Sequence, residues 1–397
     1  MNSKNYNPYL NYNLIYGNFN SSEISNYLKK TPYDIDKEKG NKNTIQLFQN
    51  ANGLNQRKKK TSINLSNQQY NYFKIYSPKG LQNINGSCYL NSILQCLFHL
   101  KPLSFYFLSE KSNFCDYSLC KAYYSLVYGL LNQNGKYFSP YEIKNALCNL
   151  NSNFNSFGND PKDVLLDFMF YINKELLGDE QSFVLKNEIN KTNKIKLFQY
   201  YKEEFQRSQT IITELFGWFK QIEKNCLFCK QKTYEFIIDT NFIFNLQKIC
   251  EDMKNRNLRL IDCFKNYFSE EIKKFTCKNC RNINKNGKVS NKICMLPNYL
   301  IIILDRGKDD EFNCNIDFGY KIDLNDVTEQ IEDKSNTNYN LIAATFLYGT
   351  SGAGHTVAFC KHFDGQYYIF DDTNYYIEEL KNLKKNKPFI IIYDQEL

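Results

Sequence analysis

Within two residues of Gly86 the sequence passes from a turn to a helix, and a cysteine stands on the boundary. Asn85-Gly86-Ser87 is a turn composition that delivers the chain to a helix start. Leu90, Ile93, Leu94, Leu97 and Phe98 then recur at i, i+3, i+4, i+7 spacing, which predicts an amphipathic helix opening at Cys88. A thiol there faces the unpaired amides and the positive end of the helix dipole, and both favour thiolate over thiol. The same place also suits a buried, inert cysteine. What separates the two readings is a base, which the fold must bring from elsewhere.

Only three histidines are available. His99 closes the predicted helix, where an imidazolium would suit the negative end of the dipole. His362 lies beside an Asp364-Gly365 turn and is expected in solvent. His355 follows Gly349-Thr350-Ser351-Gly352-Ala353-Gly354, a flexible loop, and opens a strand, a position with room for a substrate beside it. It is the predicted base. The strand from His355 turns at Asp364-Gly365 and returns as Gln366–Phe370, followed by Asp371-Asp372. An antiparallel hairpin therefore brings both acids alongside His355. A tight two-residue turn puts Asp372 on the His355 face, and one more loop residue puts Asp371 there. Either would orient the imidazole as the third member of a triad, and the residues alone leave the choice open.

A second constellation is separate. Cys226-Leu227-Phe228-Cys229 and Cys277-Lys278-Asn279-Cys280 are paired CxxC knuckles, a donor set for a closed tetrahedral Zn2+ site of structural type. The long separation between knuckles requires intervening strands to bring them together. The other cysteines, of 14 in all, show no paired spacing and read as small buried hydrophobes.

Composition narrows the class. No apolar run approaches a membrane span, and Met1-Asn2-Ser3-Lys4-Asn5 lacks a secretory hydrophobic stretch, which predicts a soluble intracellular chain with no membrane partner. In that setting cysteines point to metal or catalysis before disulfides. A net charge of +8 is mild for 397 residues. With no finger-type Cys/His spacing or aromatic RNA motif, nucleic acid is not an expected partner.

Residues 1–77 are rich in Asn, Ser, Lys and Tyr without a sustained period, which predicts a mostly disordered tail; its Gln56-Arg57-Lys58-Lys59-Lys60 cluster reads as a solvated charge run. From Pro78 the texture changes. A helix is expected from Asp160 to about Leu177, with Asp160 as N-cap, Pro161 in the first turn and Gly178 at the end. Residues 181–210 are polar and read as an insertion. Thr233–Leu246 alternates like long strands, Leu260 to Phe268 has helical spacing, and the last third is rich in strands. Helices early and strands late imply an α+β architecture with segregated halves.

Taken together, the Cys88 run resembles the cysteine box of ubiquitin-specific proteases, papain-like cysteine peptidases with helical thumb, β-sheet palm and zinc-ribbon fingers. Tyr339-Asn340-Leu341 through Gly354-His355, then Tyr368-Ile369-Phe370-Asp371-Asp372, resembles their histidine box. Asn159-Asp160-Pro161-Lys162-Asp163-Val164 is similar to their Gln-Asp thumb motif, the knuckles to their fingers, and Leu296 through Leu304 to the strand after the fingers. The motifs keep family order over 78–397, with fingers at roughly 215–300.

The resemblance implies Cys88 as nucleophile, His355 as base and Asp371 as third member, with Asp372 secondary. It also implies Asn83 as a side-chain donor to the oxyanion, Asp160 and Gly354 as substrate-binding residues, and Cys226, Cys229, Cys277 and Cys280 as zinc ligands. The implied activity is hydrolysis after the C-terminal glycine of ubiquitin, by a monomer acting on ubiquitinated proteins in cytoplasm or nucleus. A protease for a ubiquitin-like modifier and a catalytically weak ubiquitin-binding scaffold are the other readings. The intact Cys88, His355 and Asp371 set argues against the scaffold. Four departures from the family pattern stand out: Asn85-Gly86 is reversed, Thr356 replaces Tyr and alters one wall of the tail groove, Asp163 is shortened, and Leu347 replaces a histidine. They bear on substrate preference and turnover.

Overall fold

The computed structural model describes residues 76–396 apart from 111–113, 117, 156–158, 179–192, 278, 281–284, 308–311, 332–334, 349–353 and 384–385. Most of the tail expected at 1–77, its basic cluster included, lies outside these residues, as does part of the 181–210 insertion and most of the loop before His355.

The strand β1 (Gly80–Leu81) pairs in parallel with β2 (Tyr137–Phe138). Between them run α1 (Cys88–Phe98), α2 (Lys101–Ser109) and α3 (Leu119–Asn132), and α4 (Tyr141–Leu150) follows. The helix α5 (Pro161–Leu177) is built as its sequence predicts. The Asp160 carboxylate accepts from the Lys162 amide at 2.7 Å, and Gly178 ends the helix at φ +60°. One expectation is corrected. Rather than an amphipathic helix with a wet face, α1 is buried from Tyr89 to Phe98, Asn91, Ser92 and Gln95 included. It is wedged between the other helices and the main sheet, and its polar side chains are tolerated because Asn91 Nδ2, Ser92 Oγ and Gln95 Nε2 each donate to a partner inside.

The polar 181–210 stretch contains an ordered helix, α6 (Lys194–Arg207), followed by α7 (Ile211–Phe216). Leu197, Phe198, Tyr201 and Phe205 share one face of α6 and pack on Phe219, Phe236 and Cys294. Those residues belong to a four-stranded antiparallel sheet of β3 (Trp218–Cys226), β4 (Lys232–Asp239), β7 (Glu271–Phe275) and β8 (Lys285–Met295), in the order β4-β3-β8-β7. The long strands expected over Thr233–Leu246 are instead β4 and β5 (Phe242–Asn245), after which Leu246 opens α8 (Leu246–Met253). Asn245 caps α8 by accepting from the Lys248 amide, which explains the switch from strand to helix. β6 (Asn257–Arg259) and α9 (Leu260–Tyr267) complete this part.

The remaining strands are β9 (Tyr299–Asp305), β10 (Asn315–Asp317), β11 (Lys321–Asp323), β12 (Asn338–Tyr348), β13 (His355–Lys361), β14 (Tyr367–Asp371), β15 (Asn374–Ile377) and β16 (Lys387–Gln395). The main sheet runs β15-β14-β13-β12-β16-β9-β5, with β11 added on β12. Its centre is covered on both faces, so β9 reads as an unbroken apolar run. Ile301 and Ile303 face the helices, with Ile390 and Ile392 of β16. Leu300, Ile302 and Leu304 face the opposite core, where Trp218 stacks on Phe242 beside Phe264. At about 1.5–3 kcal/mol for each large apolar side chain buried, this double covering holds β13, which His355 opens, against α1.

Candidate active site

The nucleophile candidate is placed by local geometry. Asn85 and Gly86 both take positive φ, 50° and 73°, and the reversed Asn-Gly order suits such a turn. Ser87 is the N-cap residue, but its hydroxyl accepts from the Ile84 amide at 2.8 Å and leaves the helix start uncapped by a side chain. Cys88 is therefore the first helical residue, half-buried, with free amides around it.

His355 opens β13, and its Nε2 lies 2.6 Å from Asp371 Oδ1. The hairpin loop decides which acid sits there. The His362 amide donates to the Gln366 carbonyl, so the loop is Phe363-Asp364-Gly365, three residues long with Gly365 at φ +92°. Ala358 pairs with Phe370 in consequence, and Asp371 lies on the His355 face. The strand β14 accordingly ends at Asp371, one residue later than expected from sequence.

With Nε2 on Asp371, Nδ1 is left for Cys88. The hydrogen bond to Cys88 raises His355 most, burial opposes, and Asp371 raises it further, so that the imidazole is pushed up to about 9. Burial resists ionisation of Cys88, yet hydrogen bonds from His355 and from the Thr356 main-chain amide, with the His355 charge, bring the thiol below its ordinary range. The two shifts describe one pair, in which each group favours the charged form of the other.

Asp372 does different work. Its backbone is left-handed, φ 49°, and its carboxylate accepts from Asn83 Nδ2 at 2.7 Å and from Asn91 Nδ2 at 2.8 Å. Asn83 Oδ1 in turn accepts from the Ser87 amide at 2.9 Å, so the Asn83 side chain is held at both ends beside Cys88. The Asp372 carbonyl accepts from the Leu81 amide at 2.7 Å, and a Cβ on Gly80 would lie 2.4 Å from that same oxygen. Glycine at 80 is what permits this close approach. Asn91 carries no local sequence signal of this role, because its partner is 281 residues away.

Asp160 caps α5 and pairs with Lys162 at 3.3 Å, and Lys162 also reaches Asp305 of β9 at 3.5 Å, joining the helical half to the sheet. The neighbouring Asn159 amide donates to the Tyr89 hydroxyl at 3.4 Å, which brings this corner to the Cys88 helix. Gly354 is partly exposed directly before His355. Thr356, expected to alter a groove wall, is buried at 4% exposure, since strand alternation turns it from the His355 face; its main-chain amide is what reaches Cys88. His362 is likewise buried at 4% exposure instead of lying in solvent. Its Nδ1 is 3.0 Å from His99 Nε2 and its Nε2 is 3.0 Å from the Tyr76 carbonyl. His99 is fully enclosed, and burial first, then the His362 charge, pushes it well below the ordinary range, so it is no imidazolium at the helix end.

The knuckle cysteines converge at the far tip of the four-stranded sheet, all four sulfurs within 4.8 Å of one another. Cys226 and Cys280 are 3.9 Å apart, and Cys229 and Cys277 are 3.6 Å apart. A tetrahedron with Zn–S spokes of 2.3 Å has edges of about 3.8 Å, so the residues present fit the ion. The Gln231 main-chain amide, then the Asn279 side chain, brings Cys229 down to about 6, while its neighbour Cys277 is pushed up, so one sulfur of the set ionises ahead of the other. A surface groove of about 490 Å3 beside Arg259, Tyr320 and Tyr393 contains none of these site residues.

The helical thumb, the palm sheet and the four-stranded fingers make up a papain-like cysteine peptidase fold. The profile of the ubiquitin carboxyl-terminal hydrolases matches residues 79–393, and the chain belongs to that family. Among curated relatives, ubiquitin carboxyl-terminal hydrolase 25 of Arabidopsis thaliana is 22% identical over 337 residues, covering 80% of this chain and 47% of the relative. Ubiquitin carboxyl-terminal hydrolase 3 of Homo sapiens is 23% identical over 357 residues, covering 79% and 67%. The chain spans about half of the length of the first relatives it matches. Among solved structures, a chain of the yeast SAGA DUB module aligns with TM-score 0.61 at 17% identity over 80% of this chain and 68% of that one. A SAGA DUB module bound to ubiquitin aldehyde gives 0.61 at 18% identity, covering 80% and 70%. At these identities the likeness carries the fold alone.

Proposed function

We propose that this domain is a cysteine isopeptidase that releases ubiquitin from proteins or chains, with Cys88, His355 and Asp371 as its triad. The observation that carries the reading is the helix-terminal Cys88 thiol in contact with an imidazole whose other nitrogen is 2.6 Å from Asp371. Cys88 Sγ attacks the carbonyl of the terminal glycine while the Asn83 amide donates to the developing oxyanion. His355 gives its proton to the departing amine, then takes one from the water that hydrolyses the thioester. Asp371 holds the ring and its charge. The four knuckle thiolates hold a structural zinc that keeps the fingers in shape and takes no part in these steps. Among the described residues no helix is long and apolar enough to cross a membrane.

A panel of C-terminally activated probes, ubiquitin beside ubiquitin-like modifiers, tests the reading. Covalent capture of the ubiquitin probe at Cys88 is expected. Capture of a ubiquitin-like probe in its place would reassign the substrate, and capture of none would leave only a binding fold.

The acids give a finer test. Asp371→Asn is expected to lower kcat/KM by roughly 100-fold or more, because the imidazolium loses its charged partner. Activity should rise as Cys88 ionises and fall as His355 loses its proton near pH 9, and Asp371→Asn should move that upper limb to lower pH. Asp372→Asn acts on other atoms. Its single oxygen cannot accept from both Asn83 and Asn91, so one amide faces another N–H and about 1–3 kcal/mol of stability is lost. Turnover should fall through a loosened Asn83, with the upper pH limb unmoved. Identical pH profiles for the two variants would contradict this division of labour.

A further inference from the structure

Cys250 and Cys314 are 64 residues apart, and neither has a place in the chemistry above, yet the Cys250 thiol donates to Cys314 Sγ at only 3.1 Å. Both are buried, at 5% and 4% exposure. The backbone on each side is already fixed. Cys250 lies in α8, whose C-cap Lys254 is left-handed at φ 52° and turns the chain toward β6. Cys314 immediately precedes β10, and β10 pairs in parallel with β6, Asn315 opposite Asn257, with the Asn315 amide donating to the Arg256 carbonyl. The approach of the two sulfurs thus follows from a ladder and a helix cap.

A cation is built in beside the pair. The Arg306 guanidinium, 1% exposed, donates to the Cys314 carbonyl at 3.0 Å, to the Phe312 carbonyl at 3.2 Å and to the Pro388 carbonyl at 3.3 Å. Arg256 stands over the Phe312 ring nearby. Positive charge beside the pair pulls Cys314 toward the ionised sulfur that attacks an oxidant, against the stronger push of burial.

We propose that Cys250 and Cys314 form a reversible disulfide remote from Cys88, with a peroxide as the oxidant. Peroxide oxygen passes to Cys314 sulfur, giving a sulfenic acid and water. Cys250 sulfur then attacks Cys314 sulfur, so that the S–S bond forms and the S–O bond breaks. The hydroxide leaves with the Cys250 proton as a second water. Closing from 3.1 Å to a bond of about 2.05 Å asks for a shift of about 1 Å, within reach of side-chain rotation. Burial and the neighbouring Cys250 push Cys314 up to about 12, against the pull of Arg306 and Arg256, so the first oxidation is slower than at Cys88. The second step follows at once because the partner is in contact. Under reducing conditions the pair rests as the dithiol.

The experiment uses the full chain carrying Cys88→Ala, so that oxidation of the nucleophile cannot confuse the result or depend on the proposed activity. After hydrogen peroxide, peptide mass mapping should show a Cys250–Cys314 cross-link that dithiothreitol reverses, and Tm should rise by about 5 °C or more. Cys263→Ser should keep the cross-link, since that buried thiol of α9 is a bystander. Both thiols remaining open to alkylation after denaturation would overturn the proposal. So would a cross-link through Cys263, or a fall in Tm on oxidation, which would mean that the bond must be forced. The mapping is read on wild-type sulfurs, so it holds even where a Cys250→Ser chain does not fold.

Discussion

Replacing Cys88 by alanine is expected to remove turnover, a loss on the order of 10⁴-fold or more, while leaving the domain folded and able to bind its substrate. The thiol is half-buried at the first position of α1, where alanine is an excellent helix former, so little packing and no cap is lost. What disappears is the ionised sulfur. Cys88→Ser keeps the shape but supplies a hydroxyl that stays protonated at neutral pH, and should be almost as inactive. A second readout follows from the coupling of the pair. The strongest contribution holding His355 up near 9 is its hydrogen bond to Cys88, so in Cys88→Ala the imidazole should titrate at lower pH. NMR titration of His355 checks this independently of any substrate. Hydrolysis of a ubiquitin C-terminal amide surviving in a clean Cys88→Ala preparation would move the nucleophile elsewhere.

How far the sequence carries is decided by the range of the interaction concerned. Cys88 is legible because the turn, the N-terminus and the apolar spacing all lie within a dozen residues. The N-cap at Asp160 is legible for the same reason, whereas the helix α6 is missed although Leu197, Phe198, Tyr201 and Phe205 keep helical spacing inside a polar stretch. Reading that stretch for polarity alone hides them. The choice between Asp371 and Asp372 rests on the parity of one loop, and residues at 363–365 accept either a two- or a three-residue turn. Register is a property of the pairing. Least legible are partners met only across the fold. Nothing near Asn83 or Asn91 announces Asp372, and nothing near His362 announces His99 and the Tyr76 carbonyl that bury it. The all-round burial of α1 has the same origin, since its polar residues resemble a wet face until their distant partners are known.

If the four knuckle cysteines hold zinc as proposed, removing it should unfold the tip of the fingers. Purified protein is expected to carry one zinc for each set of Cys226, Cys229, Cys277 and Cys280, and serine at any of the four should release it. Metal-coupled folding in zinc-finger peptides is worth about 10–16 kcal/mol, so the tip should unfold locally. The reason is electrostatic as well as geometric. Sulfurs 3.6–3.9 Å apart that ionise to hold a cation repel one another once it is gone. The damage should not travel the length of the sheet. β3 runs from Trp218, stacked on Phe242 in the palm core at 4.0 Å, to Cys226 at the tip, a span of roughly 25–30 Å. Hydrogen exchange should therefore quicken at the Cys226 end of β3 and the adjoining start of β8, while amides near Trp218 and around His355 stay protected. Turnover of a minimal ubiquitin C-terminal peptide should survive, whereas full-length ubiquitin, which can reach the fingers, should be processed poorly. Metal analysis that finds no zinc, together with exchange unchanged by chelator, would show that the four cysteines stand together without an ion.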